Sequence, residues 1–78
     1  MKVKEKTSGV TAEQEIAHLV SMANDIAANL ACHADADARV ADHLRRFWAP
    51  RMRALLTEHV RSGGKGLEPA VREALKKL

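Results

Sequence analysis

The sequence predicts an all-α protein, a small bundle of three to four helices with the second broken at a proline, and three observations lead there. Its 46% hydrophobic content is carried mostly by Ala and Leu, with no Tyr, one Phe and one Trp, a mixture that favours helices. Apolar residues recur at spacings of three and four along three successive stretches. Residues that start or stop helices stand between the stretches, at Thr11, Pro50, Gly63-Gly64 and Pro69.

Residues 1–10 are rich in Lys, contain Ser8-Gly9 and show no periodicity, so they are expected to form a flexible tail ahead of a single helical domain over 11–78. Thr11-Ala12-Glu13-Gln14 matches a capping box, in which Thr11 accepts from an amide three residues on and Gln14 reaches back. In the helix that follows, Ile16, Leu19, Val20, Ala23, Ile26, Ala27 and Leu30 line one face for about four turns. Asn24, Asp25 and Asn29 are expected toward water or a polar contact. The pattern lapses around residues 33–37, where Asp35 or Asp37 can cap a second helix. Its apolar positions are Val40, Ala41, Leu44, Phe47 and Trp48, and the pairs Asp35/Arg39 and Asp42/Arg46 are spaced to support its outer face.

Pro50 lacks an amide hydrogen and disfavours helical geometry at Ala49, so the second helix should break there and a third restart with Pro50 at its first position. Met52, Leu55, Leu56, His59 and Val60 form the inward stripe of that third helix. Gly63-Gly64 supplies a left-handed C-cap, and Glu68-Pro69 opens a last helix of about ten residues with Leu67, Val71, Leu75 and Leu78 on one side. No internal repeat or low-complexity segment interrupts this plan.

At 78 residues the chain is one domain, and a domain this small buries only about 60% of the surface its unfolded form exposes. Small folds compensate with disulfides, a metal or a partner, and the single Cys32 rules out an intrachain disulfide. A partner subunit is the natural remedy. The lone thiol and the absence of any run of about 18 apolar residues fit a cytoplasmic protein that neither enters nor crosses a membrane.

Catalytic and metal chemistry find little support. Cys32 and His33 are adjacent, so on a helix they point about 100° apart, and no H-x3-H, C-x2-C or HExxH is present. The expectation is a half-buried Cys32 and solvated His18, His33, His43 and His59, with no metal. The same adjacency denies Cys32 a base to activate it. Capping and helix ion pairs account for Asp35, Asp37 and Asp42, and four short helices enclose little volume for a substrate. The expected site is neither catalytic nor cofactor-binding.

The most informative stretch is VADHLRRFWAPRMR, residues 40–53, which holds both aromatics, Pro50 and four of the seven arginines. Trp and Arg are the side chains most enriched at protein–protein hot spots, one for rigid apolar area and the other for its planar five-donor fork. A partner-binding surface is therefore expected from Arg45, Arg46, Phe47, Trp48, Pro50, Arg51, Met52 and Arg53. Phe47 fits the core as well as the surface, whereas Trp48, bulky and with an indole N–H to satisfy, is the better docking candidate. Its apolar neighbours would insert while the arginines pair with carboxylates or carbonyls around them.

Residues 45–61 carry five Arg against the single acid Glu58, so a helix-turn-helix nucleic-acid reader is the rival. It fits poorly: no three- or four-residue turn precedes the third helix, and Asn, Gln and Ser are missing from the span. A third reading is a helical protein that associates with its own copy when isolated.

With LVSMANDIAANL at 19–30, FW-x-PRMR at 47–53, and His59, Gly63-Gly64 and Leu67-x-Pro69 at their spacings, the chain resembles the delta subunit of NAD-dependent formate dehydrogenase over about residues 16–78. It departs from the family pattern at Ala49, where the pattern has Asp, and at Leu30, where it has an aromatic. The resemblance implies an accessory subunit that binds the large catalytic subunit of a soluble complex oxidising formate and reducing NAD. Molybdenum or tungsten bis-pterin, iron–sulfur clusters and FMN would then sit on the other subunits. This chain has neither the cysteine cluster nor the glycine fingerprint to hold such groups.

Overall fold

Four helices account for most of residues 12–78, the part of the chain described by a computed structural model. They are α1, Ala12–Leu30; α2, Ala36–Phe47; α3, Pro50–Arg61; and α4, Pro69–Lys76, with no strand among the described residues. The Thr11 cap and the tail of residues 1–10 lie outside that range.

Each helix buries most of the stripe its spacing marks. Leu19, Ala23 and Ala27 of α1 meet Val40, Ala41 and Leu44 of α2, Leu56 of α3, and Val71, Ala74 and Leu75 of α4 in one core, completed by Trp48 and Leu67 from the connections. Val20, Met22, Ile26 and Leu30 of α1, together with Met52, Leu55 and Val60 of α3, pack half-buried around its edge. Small residues on α1 keep that helix close to its neighbours, and it contacts all three others. The most extensive packing joins α2 to α4, so the last helix is a full face of the core rather than a plug at one end. It is eight residues long, and because it stops at Lys76 the expected inward Leu78 is exposed instead.

The ends of the helices show where the chain finds its polar partners. Asp35 occupies the N-cap position of α2, but its carboxylate receives Arg39 Nε at 2.8 Å rather than a helix amide. That guanidinium holds the Asp35 carboxyl below its ordinary range. The pair Asp42/Arg46 forms as spaced, at 3.0 Å. At the other end of α3 the amide of Gly64 bonds to the carbonyl of His59 at 2.9 Å and that of Gly63 to Val60 at 3.0 Å. This is a Schellman closure. It requires the positive φ of Gly63 (121°) and Gly64 (65°), which a side-chain-bearing residue adopts only with strain.

Candidate protein-docking surface

Between α2 and α3 the chain is extended for two residues. Trp48 has φ −94°, ψ 140° and Ala49 φ −64°, ψ 148°, after which Pro50 stands as the first residue of α3. The amide of Trp48 still reaches Leu44 at 3.1 Å, so the chain leaves the helix only beyond that amide. This local geometry sends the two aromatics opposite ways.

Trp48 turns into the core and is only 6% exposed, while Phe47 faces out and is 71% exposed. The expected order of the pair is thus reversed, for a geometric reason. The buried stripe of α2 runs through Val40, Ala41, Leu44 and Trp48, and at about 100° per residue Phe47 lies roughly 75° from its middle. Leaving the helix at Trp48 lets the larger ring join the buried core, in which a 78-residue chain can hardly leave space empty.

The four arginines also divide. Arg53 is drawn inward: its Nη1 lies 3.2 Å from the carbonyls of Leu44 and Arg45 and 2.6 Å from that of Trp48, acceptors that converge at the C-terminal end of α2. Arg45 donates to the carbonyl of Lys77 at 3.1 Å, tying α2 to the end of the chain. Arg51 makes a two-pronged contact with Glu15 of α1, its Nη2 reaching Oε1 at 3.2 Å and its Nη1 reaching Oε2. The guanidinium keeps Glu15 below its ordinary pKa, and the carboxylate raises Arg51 in turn. Arg46 pairs with Asp42 yet stays largely in solvent. Each of the four thus has an acceptor within the chain, on a different segment from the next, rather than a set of unmatched charges aligned along one face as a phosphate backbone would call for.

What remains outward is a shallow cleft between the end of α1 and the outer face of α2. Leu30, Ala38, His43 and Phe47 line it together with the charged pairs Asp35/Arg39 and Asp42/Arg46. The rings of His43 and Phe47 lie 4.8 Å apart, tilted by 48°. Such packing holds Phe47 in a defined orientation although most of its surface meets water. An apolar anchor inside a ring of charged pairs is how the centre and rim of a protein interface are built. Of the sequence-predicted residues, Phe47 and Arg46 line this cleft; Arg45 and Arg51 are exposed but reach Lys77 and Glu15 instead, Met52 packs half-buried against the core, Trp48 lies in the core, Arg53 holds the carbonyls at the end of α2, and Pro50 opens α3.

His43 and Leu30 had no expected role in this surface; the signal for His43 was its position four residues before an aromatic. A larger omission is the 62–68 connection. Arg72 donates to the carbonyls of Gly63, Gly64 and Leu67, His59 Nε2 to that of Lys65 at 2.8 Å, and Asn24 Nδ2 to that of Gly66 at 2.8 Å. Asn24 also accepts from the amide of Glu68. A side chain therefore holds every carbonyl from Gly63 to Leu67.

Cys32 lies exposed in the α1–α2 connection rather than half-buried, because the core stripe has already ended at Leu30. Among the described residues no three His, Cys, Asp or Glu side chains are grouped as a metal ion would need, and no helix is long and apolar enough to cross a membrane. Comparison with curated proteins returns no match, and neither does comparison with solved structures. The family model described as NADH-dependent formate dehydrogenase delta subunit, FdsD, matches residues 18–75, from within α1 almost to the end of α4, and the chain belongs to that family.

Proposed function

We propose that the chain is a non-catalytic accessory subunit that docks on the large catalytic subunit of a cytoplasmic formate dehydrogenase complex through the α2–α3 corner, with Phe47 as its apolar anchor. The observation that carries this reading is the exposure of Phe47, one of two aromatics in the chain, held by His43 within a charged rim. Arg46, Arg45 and Arg51 would meet carboxylates or carbonyls at the edge of the contact, setting register and encounter rate more than affinity. In this reading Pro50 keeps Ala49 extended, which fixes the corner where Trp48 leaves α2 for the core and Phe47, on the outer side of α2, stays exposed. Binding would stabilise the assembled or assembly-competent large subunit by mass action.

The redox groups of the enzyme, bis-pterin molybdenum or tungsten, iron–sulfur clusters, FMN and NAD, are assigned in this proposal to the other subunits. The single cysteine supports that assignment, since a cluster takes several thiolates.

Titration of the isolated chain against the large subunit tests the proposal. Phe47→Ala should weaken binding by about 2 kcal/mol, roughly thirtyfold, while leaving the helical content intact. Affinity unchanged by that substitution would remove the α2–α3 corner from the interface.

A further inference from the structure

A second recess lies beside the first turns of α1, well away from Phe47. Half-buried Ile16 and Val20 and exposed Ala17 line it along α1, and Gly66 closes one side, where a Cβ would stand 3.6 Å from Val20 Cγ1. The Phe47 cleft begins at Leu30, ten residues beyond Val20 or about 15 Å along the helix.

Charge marks the two ends of this recess with opposite sign. Glu13 lies at the N-terminal end and Lys65, next to Gly66, at the Val20 end, seven residues or about 10 Å further along α1. Both are exposed, and neither joins an ion pair among the described residues. Lys65 sits on backbone that is anchored around it: the carbonyls of Gly64, Lys65 and Gly66 accept from Arg72, His59 and Asn24. A connection fixed in this way loses little conformational freedom when something binds it.

An acid at one end, a base at the other and a small residue between them form a pattern that a two-fold axis makes complementary to itself. Rotation by 180° about an axis through Ala17 lays α1 antiparallel on its copy and brings each Glu13 to the other chain's Lys65. We propose that this recess binds a second copy of the chain, with the α1 helices crossing at Ala17 and Ile16 and Val20 covered on both sides. The patch is small beside a standard interface, so the dimer is a weak one that forms as concentration rises. It leaves the Phe47 cleft open.

Sedimentation of the isolated full chain across a concentration series tests this, with a charge swap as the decisive arm. Glu13→Lys and Lys65→Glu should each weaken dimerisation about tenfold, since symmetry repeats every contact, and the two together should restore it. Ala17→Arg should abolish the dimer with the helical spectrum unchanged. A wild-type chain that stays monomeric at the highest attainable concentration would overturn the proposal, as would a double swap that fails to rescue. If the chain is monomeric and Glu13→Lys instead weakens binding to the large subunit, the recess belongs to that partner and the two-fold reading is wrong.

Discussion

The two connections that enter α3 and α4 are built on one plan and used for different ends. Each helix opens with Pro-x-x-Arg, Pro50 to Arg53 and Pro69 to Arg72, after a residue in nearly the same extended conformation, Ala49 at φ −64°, ψ 148° and Glu68 at φ −66°, ψ 150°. In both, the arginine turns back to hold carbonyls of the segment before it. Arg53 does so with one nitrogen, because its acceptors converge at the end of α2. Arg72 spends Nε, Nη1 and Nη2 on carbonyls spread along a loop of seven residues. A short corner needs a point donor and leaves Phe47 to the outside; a long loop needs the whole fork and is held down. Arginine in this chain shapes surfaces before it meets a partner.

The largest effect that separates the two regions should come from Trp48→Ala, which empties the core behind the short corner. Loss of a buried aromatic costs about 3–5 kcal/mol. That is a large share of the roughly 4–12 kcal/mol expected for 78 residues. Thermal melts should show the isolated chain close to unfolded, in contrast to Phe47→Ala. A mild effect would mean that Trp48 is not part of the core.

Next in size is Arg72→Lys. An ammonium can serve only one of three separated acceptors, so about 1–3 kcal/mol should be lost and amide exchange should accelerate over residues 62–68. Arg53→Lys should cost less, under about 1 kcal/mol, because a single charge can face carbonyls that already converge. Equal costs in urea titrations would erase the distinction between point donor and fork.

The smallest effect concerns pH. The folded state holds Glu15 below its ordinary value of 4.5 through Arg51, so above 4.5 the carboxylate is ionised in both states and the contact contributes in full. As pH falls below 4.5 the unfolded chain takes up the proton first, and the contribution is lost as pH drops through the depressed folded value. Glu15→Gln should flatten that part of the stability profile, and only slightly, since Arg51 is exposed. A profile identical to wild type would show that the α1–α3 clasp is not formed in solution.

Much of this architecture is legible in the sequence because it depends on neighbours along the chain. The 3.6-residue stripes, the start of α3 at Pro50, the Gly63-Gly64 closure and the pairs Asp35/Arg39 and Asp42/Arg46 all follow from residues no more than a few positions apart. The fate of Phe47 and Trp48 is a different kind of question. It turns on whether the chain leaves the helix before or after one residue, and a stripe that contains both cannot decide it. The inward turn of Arg53 and the grip of Arg72, Asn24 and His59 on the 62–68 loop were equally hidden. Their acceptors are backbone carbonyls, which every residue carries and no composition marks. The repeated Pro-x-x-Arg was the one trace of that device in the sequence.

Trp48 is enclosed by this chain alone while Phe47 is offered outward, and the single tryptophan provides its own probe. Acrylamide quenching of Trp48 fluorescence in the isolated wild-type chain should be weak, with emission shifted to the blue, and should stay so in Phe47→Ala. Quenching as efficient as that of a free indole would place Trp48 in water, and with it the anchor on the wrong ring.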